Sequence, residues 1–158
     1  QINTYLRYNA SMHIVAVTPE ELFQALSDQT RIRIVRLLAS FNEEACLCEL
    51  VDSLEEPQYK VSRHLKVLKQ VGIFSYRKEG RWIYHRLVEE SEPLKLLYRV
   101  ILTLPDSTHT FKQDMARFKA RLKLRDEGRC QVGIQKAHLA GEEEESLPTK
   151  NKPRLKKK

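Results

Sequence analysis

Hydrophobic residues in the first part of the chain recur every three or four positions, which is the spacing of amphipathic helices. Residues 18–21 combine a hydroxyl N-cap, a proline at the first helical position and a glutamate at the third, so a helix should begin there. A second apolar run follows from Ile32. Two shorter amphipathic segments, 46–54 and 58–70, are separated by a break at 55–57. Two short helices joined by a tight turn are typical of a helix-turn-helix.

After Gly72 the apolar period changes to two. Residues 73–78 alternate, Glu79 and Gly80 favour a turn, and residues 81–87 resume a β-rich alternation, so a β-hairpin is predicted. A hairpin directly after a helix-turn-helix is the wing of a winged-helix domain, which places a helix in the major groove of DNA and the hairpin on the adjoining backbone. The predicted fold class is mainly α with a β-hairpin wing: a winged helix-turn-helix.

Two further helices are predicted beyond the wing. One begins at 91–93 and carries an apolar stripe to Leu104, and the last is capped at 106–107 and runs to about Arg125. Their apolar stripes have no obvious partner inside so small a core. We therefore expect the protein to form a homodimer through these terminal helices.

These patterns divide the chain into one domain and its extensions. Residues 18–125 form the predicted winged-helix DNA-binding and dimerisation domain. Residues 1–17 are interpreted as an N-terminal arm or a non-native extension, with Met12 as a candidate initiator. Residues 126–140 form a tail that carries a cysteine. Residues 141–158 are expected to be a disordered charged tail, because their composition cannot bury enough apolar surface to fold.

The basic residues are concentrated rather than spread evenly. The chain has 158 residues and a formal net charge of +7, and residues 57–87 hold eight basic residues against the single acid Glu79. This concentration favours a polyanionic partner, and nucleic acid is preferred to an acidic membrane because no amphipathic helix with a bulky apolar face accompanies it. A solvated basic face is the alternative. No long apolar span or signal peptide is evident, so a soluble, cytoplasmic protein is expected.

The polar positions of 58–70 and the wing supply the predicted DNA contacts. We expect Gln58, Lys60 and Arg63 to read bases, because their side chains match the edges of adenine and guanine in the major groove. The remaining side chains should contact phosphates, and His64 is interpreted as a helix residue that bonds the neighbouring backbone or a phosphate, in preference to a metal ligand. The full predicted set is Gln58, Tyr59, Lys60, Ser62, Arg63, His64, Lys66, Arg77, Lys78 and Arg81.

The three cysteines, Cys46, Cys48 and Cys130, are too few for a disulfide framework and are expected to remain thiols in a reducing compartment. Thiolates prefer soft ions. Cys46 and Cys48 would point about 200° apart on a regular helix, so they can bind one ion only if the backbone is non-helical or distorted there. The alternative is that one is a small buried residue and the other is incidental.

Four segments in the same order resemble the ArsR/SmtB family of metal-responsive repressors. They are Leu-Ser-Asp-Gln-Thr-Arg-Ile-Arg-Ile at 26–34, Ala-Cys-Leu-Cys-Glu-Leu at 45–50, Val-Ser-Arg-His-Leu-Lys-Val-Leu at 61–68 and Glu-Gly-Arg-Trp-Ile-Tyr at 79–84. The resemblance covers roughly residues 18–104. It implies a homodimeric repressor that binds operator DNA, expected to be an inverted repeat. For the arsenic-sensing branch, it implies that Cys46 and Cys48 bind arsenite, with antimonite as a related ligand.

One position departs from the family pattern. The best-known arsenic sensors carry a third cysteine three residues beyond the second, where this chain has Val51. Cys130 is therefore the candidate third ligand, reaching the other two cysteines of its own protomer or of its partner. The second metal site of the family, built from Asp and His on the helix after the wing, finds no matching pattern in 94–104.

Three other interpretations stay open at this point. The protein could sense zinc, cadmium or lead, although no nearby histidine completes the four ligands that zinc prefers. It could instead be a redox switch that forms a disulfide among its cysteines. An enzyme is the least favoured class, because the chain contains no phosphate-binding glycine loop, nucleophile elbow or metal-hydrolase motif and therefore no catalytic cofactor is expected.

Overall fold

A computed structural model describes residues 5–7 and 15–141 of the chain. The N-terminal arm contributes two short strands, β1 (Tyr5–Arg7) and β2 (Val15–Val17), which pair antiparallel with Leu6 opposite Ala16. The sequence pattern did not predict this pairing. Met12 lies outside the described residues, and so does the charged tail from residue 142 onward.

Four helices follow β2, and the first of them confirms the start signals predicted at residues 18–21. They are α1 (Pro19–Leu26), α2 (Gln29–Phe41), α3 (Leu47–Leu54) and α4 (Gln58–Gln70). Thr18 caps α1 by accepting a hydrogen bond from the Glu21 amide, and the Glu21 carboxylate accepts one from the Thr18 amide in return. The apolar faces of these helices meet in one core that includes Ile34, Leu50 and Leu68, all fully buried.

The wing is a three-stranded antiparallel sheet rather than a hairpin alone. Its strands β3 (Ala45–Cys46), β4 (Phe74–Glu79) and β5 (Trp82–Leu87) are arranged in the order β3-β5-β4. Gly80 closes the tight turn between β4 and β5 with a φ of 58°, a conformation that favours glycine. The short strand β3 was not predicted. It pairs Cys46 with Tyr84, which fixes the first cysteine against the wing.

The two terminal helices pack inside their own protomer. They are α5 (Glu92–Thr103) and α6 (Thr110–Leu122), and the Asp106 carboxylate accepts hydrogen bonds from the first amides of α6. Phe118 of α6 is fully buried and meets Phe41 edge to face with ring centroids 5.1 Å apart. Leu94 and Ile101 of α5 are also buried in the core. The premise that these stripes lack a partner within the protomer is therefore wrong.

A different face of α5 is apolar and exposed. Leu96 is 54% exposed and Val100 is 57% exposed, and the two residues lie one turn apart on the same face of the helix. Dimerisation stays a prediction, and we expect it to involve this exposed face of α5.

The segment 126–140 folds back onto the domain. Cys130 and Leu139 are buried, and Leu139 ends a single 3₁₀ turn, Ala137–Leu139. The predicted tail is therefore a packed part of the structure as far as it is described. Among the described residues, no helix combines the length and apolarity that a membrane span requires.

Candidate metal centre and nucleic-acid interface

The three cysteines meet in one buried cluster. The Cys46 and Cys48 sulfurs are 2.6 Å apart, and Cys130 Sγ lies 3.2 Å from the first and 3.4 Å from the second. Each side chain is at most 6% exposed. The structure thus brings together all three predicted ligands within one protomer, although Cys130 lies more than eighty residues from the other two.

Local backbone geometry explains how Cys46 and Cys48 face the same point. Cys46 is the N-cap of α3 and has the extended angles φ −82° and ψ 162°, whereas Cys48 lies inside the first helical turn. The change from strand to helix between them removes the angular separation that a continuous helix would impose. The requirement for non-helical backbone at one cysteine, deduced from the spacing, is confirmed.

Cys130 is held in place by the wing and by its own segment. Its amide donates a 2.8 Å hydrogen bond to the hydroxyl oxygen of Tyr84, a fully buried residue of β5. Its thiol donates to the carbonyl oxygen of Val132 at 3.3 Å. Val51, at the position of the third cysteine in the best-known sensors, belongs instead to the apolar core. The third sulfur of the cluster is therefore that of Cys130 and not one at position 51.

Arginines on α6 and just beyond its end lie beside the sulfur cluster or beside the acidic residues next to it. Arg121 Nη2 lies 3.6 Å from Cys48 Sγ and 3.8 Å from Cys130 Sγ, while its Nε donates to Asp52 of α3 at 2.8 Å. One turn later Arg125 donates to the Glu49 carboxylate, and Glu49 also accepts a 2.9 Å hydrogen bond from the Cys46 amide. Sequence reasoning missed these arginines, whose only signal is their recurrence at spacings of four along a helix.

The cluster holds its sulfurs in unequal protonation states. Hydrogen bonds from the Cys46 and Cys130 thiols, together with the Arg121 charge, lower the pKa of Cys48 to about 7. The hydrogen bond to Cys48 and burial raise the pKa of Cys46, and burial raises the pKa of Cys130. Of the three cysteines, Cys48 is therefore the one that ionises most readily, and it is partly ionised near neutral pH.

This donor set fits a soft, three-coordinate ion. The three sulfurs lie within 4.8 Å of one another, and among the described residues they form the one group of cysteine, histidine and acidic side chains close enough to hold an ion. Sulfur ligands select soft ions over magnesium or calcium, which bind oxygen. The absence of a neighbouring histidine in this group also makes it a poor structural zinc site, since zinc prefers four ligands.

The predicted DNA-binding residues fall into two groups: side chains that are exposed, and side chains that already contact other residues of the protein. Tyr59, Ser62, Arg63 and Lys66 are exposed on α4, and Lys78 is exposed on the wing. Gln58 is half-buried at the start of α4. Neither Arg63 nor Lys66 forms an ion pair with any described residue. These side chains therefore present the basic, hydrogen-bonding surface that operator contact requires.

Other members of the predicted set already have partners. Lys60 pairs with Glu56 at 2.8 Å, and Arg77 pairs with Glu44 and Glu79. His64 is 9% exposed, with Nδ1 3.7 Å from the Asp28 carboxylate, and burial lowers its pKa. These contacts favour the structural interpretation of His64. Arg81 lies over the Trp82 ring and donates to the Gln131 carbonyl oxygen at 3.3 Å.

A family model and several known proteins match part of this chain. A model of the bacterial regulatory protein, arsR family, matches residues 28–76. The uncharacterized HTH-type transcriptional regulator MJ1325 of Methanocaldococcus jannaschii is 42% identical over 79 residues, which are 49% of this chain and 88% of that protein. The chain belongs to the arsR family of bacterial regulatory proteins.

The names of two relatives refer to resistance to arsenic and to cadmium. Arsenic resistance transcriptional regulator ArsR2 of Pseudomonas putida is 45% identical over 74 residues, 47% of this chain and 64% of the relative. A cadmium resistance transcriptional regulatory protein CadC homolog of Staphylococcus aureus is 41% identical over 70 residues, 44% of this chain and 57% of the relative. The match thus spans less than two thirds of the length of either relative.

The arsR family model includes only part of the candidate site. Cys46, Cys48 and all of α4 lie inside the matched residues 28–76, whereas Cys130 and α6 lie beyond them. The family match therefore accounts for the helix-turn-helix and two sulfurs. The third sulfur and the arginines on and just beyond α6 are features of this structure.

Proposed function

We propose that this chain is an arsenite-responsive repressor that binds operator DNA as a homodimer and leaves it when arsenite binds Cys46, Cys48 and Cys130. The observation that carries the proposal is the buried three-sulfur cluster, whose members lie within 4.8 Å of one another. Arsenite is a thiophilic, three-coordinate species, so its coordination number equals the number of sulfurs. The name of the ArsR2 relative supports the same ligand.

The DNA-binding half of the proposal rests on α4 and the wing. The exposed Arg63 and Lys66 of α4 and Lys78 of the wing form a surface that suits the phosphate backbone and the guanine edge. Each Arg or Lys that neutralises a phosphate releases counterions, so operator binding should weaken steeply with salt.

The ion site is joined to both DNA-contacting elements. Cys46 pairs with Tyr84 in the wing sheet and begins α3, which packs against α4. The segment that carries Cys130 is fastened to the wing tip, where Arg129 pairs with Glu79 at 2.6 Å. An ion that sets the three sulfurs at its own bond lengths and angles therefore acts on the wing and on α3 together, which changes how α4 and the wing fit the groove.

The free-energy preference for the DNA-free conformation that the ion needs is small. An ion that favours the DNA-free conformation by about 1.4 kcal/mol lowers operator affinity tenfold, and twice that preference lowers it a hundredfold. This preference is the difference in arsenite affinity between the two conformations, so the bonds to sulfur contribute to release only as far as they are stronger in the DNA-free one.

Operator titrations of the wild type and of the single variants Cys46→Ser, Cys48→Ser and Cys130→Ser test the trigger. Arsenite should release wild-type protein, and each serine variant should bind the operator normally but resist release. Retained release in Cys130→Ser would exclude Cys130 as an obligatory ligand. Release of a Cys46→Ser/Cys48→Ser protein would show that the proposed trigger is wrong.

Dimerisation is tested at the exposed face of α5. Val100→Glu should shift the protein toward monomer in sedimentation experiments and weaken operator binding, because it places a charge in the proposed apolar interface. Arg99→Ala, at the adjacent exposed position, serves as the control and should leave the assembly unchanged. Equal sedimentation of wild type and Val100→Glu would contradict the α5 interface.

Two alternatives are separated in the same titrations. The CadC homolog favours a divalent ion such as cadmium, so cadmium and zinc salts are titrated beside arsenite. The short sulfur separations favour a redox switch in which an oxidant such as peroxide removes two electrons and two protons to form one disulfide. Release by peroxide without metalloid would select the redox function.

A further inference from the structure

The charges around the three sulfurs cancel. Arg121 is 4% exposed and pairs with Asp52, which is 7% exposed. Arg125 pairs with the fully buried Glu49 through a 2.7 Å contact. Two cations and two anions therefore face the cluster from α3 and the end of α6, and their sum is zero.

The next charged groups are neutralised in the same way. Arg77 lies over the Tyr84 ring, with its guanidinium carbon 4.6 Å from the ring centroid, and is paired with Glu44 and Glu79. Tyr84 itself separates Arg77 from the sulfurs as part of the cysteine cluster. Arg129 also pairs with Glu79, and Glu43 also pairs with Arg125, so the four bases of these ion pairs face five acids and leave no excess positive charge.

Trivalent and divalent ions differ in the charge that they leave in such a site. Arsenous acid, As(OH)₃, reacts with three thiols to form three As–S bonds, breaks three As–O bonds and releases three waters, with no change in oxidation state; where Cys48 is ionised, the third proton comes from solvent. The product is neutral. A divalent ion that displaces three protons from three thiols leaves a tris-thiolate complex of charge −1. Burying an uncompensated charge is costly, whereas burying a neutral complex is not.

We propose that the Asp52–Arg121 ion pair makes the site selective for a neutral trivalent metalloid complex over the anionic complex of a divalent ion. Asp52 pairs with Arg121, the described guanidinium whose Nη2 lies within 4 Å of two sulfurs, and offsets its charge, so less positive charge is left to stabilise an anionic product than an unpaired arginine would supply. This inference rests on the proposed function, in that the three cysteines must be the ligands. It adds that a residue which never touches the ion decides which ion class binds.

Opposite single variants and their combination test the charge argument. Asp52→Asn leaves Arg121 uncompensated, so cadmium affinity should rise about tenfold or more relative to arsenite affinity, given the strength of a unit charge near 4 Å. Arg121→Gln leaves Asp52 uncompensated, so the same ratio should fall by a similar factor. The double variant restores neutrality, and its ratio should return to within about threefold of the wild type.

The measurement uses the full chain without DNA. Sodium arsenite and cadmium chloride are titrated separately and in competition, and the thiolate-to-metal absorption band in the near ultraviolet reports each complex. The matched control is Glu55→Gln, which removes the same charge three residues later, just past the end of α3, where the side chain is 43% exposed and solvent screens it. Circular dichroism and operator binding confirm that each variant is folded.

The outcomes separate this inference from the proposed function. A ratio that moves in opposite directions in the two single variants and returns in the double variant supports it. Parallel losses for both ions that worsen in the double variant would show that the pair is only structural and would overturn it. Failure of the wild type to bind arsenite through its three cysteines would overturn the proposed function first, and this inference with it.

Discussion

The arginines on α6 and the basic residues on α4 carry the same charge but differ in burial and in ion pairing. On and just beyond α6, Arg117, Arg121 and Arg125 are largely buried and each is paired with an acid of α3 or α6. On α4, Arg63 and Lys66 are exposed and have no ionic partner among the described residues. The comparison shows that the α6 arginines form ion pairs in the interior whereas the α4 basic residues face solvent, and that burial distinguishes the two cases.

The largest expected effect comes from breaking a buried pair on α6. Asp114 is 1% exposed and accepts 2.8 Å hydrogen bonds from both Arg33 and Arg117. Asp114→Asn removes the anion that both guanidiniums share and leaves the buried Arg33 with only its longer contact to Glu56, so the free energy of unfolding should fall by about 3 kcal/mol. Urea denaturation measures it. A loss as small as that of Glu92→Gln, which breaks only an exposed pair, would show that the α6 interface is no better than a surface ion pair.

A second test concerns the buried side of the wing. Burial, with a contribution from Lys69, lowers the pKa of His85 to about 4 from the usual 6.5. The unfolded chain therefore binds a proton before the folded chain does. Stability is fully present above pH 6.5 and should decline by up to about 3 kcal/mol as the pH falls to about 4.

The control for the pH test is His85→Gln, which cannot titrate in this range. The difference in unfolding free energy between wild type and variant, measured by urea denaturation at several pH values, should follow that decline. A difference that stays constant from pH 7 to pH 4 would contradict the buried environment of His85.

A smaller effect on operator affinity is expected when an exposed arginine of the proposed DNA surface is compared with one that is already ion-paired. Arg63→Ala should weaken operator binding by about 1–3 kcal/mol, because the exposed guanidinium faces outward from α4. Arg77→Ala should cost less, since Glu44 and Glu79 already occupy that guanidinium. Fluorescence anisotropy at one salt concentration compares them, with Arg99→Ala as the control. Equal losses for Arg63 and Arg77 would show that the internal pairing opens on DNA.

The smallest expected effect is in the salt dependence. Lys66→Ala should lower the slope of log K against log salt by about one unit, as for the loss of one phosphate contact. Lys60→Ala should change the slope less, because Lys60 already pairs with Glu56. The two slopes, taken from anisotropy titrations over a salt series, test whether ion pairing within the protein removes a cation from the DNA surface. Identical slopes would mean that it does not.

The fold was largely predictable because its signals are local. Thr18 and Glu21 define the start of α1 within four residues, α4 occupies the predicted segment, and Gly80 marks the wing turn. The premise for dimerisation was wrong because the partner of Phe118 is Phe41, far away in sequence. Pairing of that kind leaves no local pattern.

The sequence alone determined the helix-turn-helix, the wing and the two adjacent cysteines, because helix caps, residue periodicity and backbone turns act over a few residues. Only the tertiary structure decided that Cys130 joins Cys46 and Cys48, and that Arg121 and Asp52 stand beside them as a neutral pair. These contacts depend on α6 packing against α3 and on the return of the segment 126–140 to the wing. Burial and long-range packing set them, and neither is a property of any short stretch of chain.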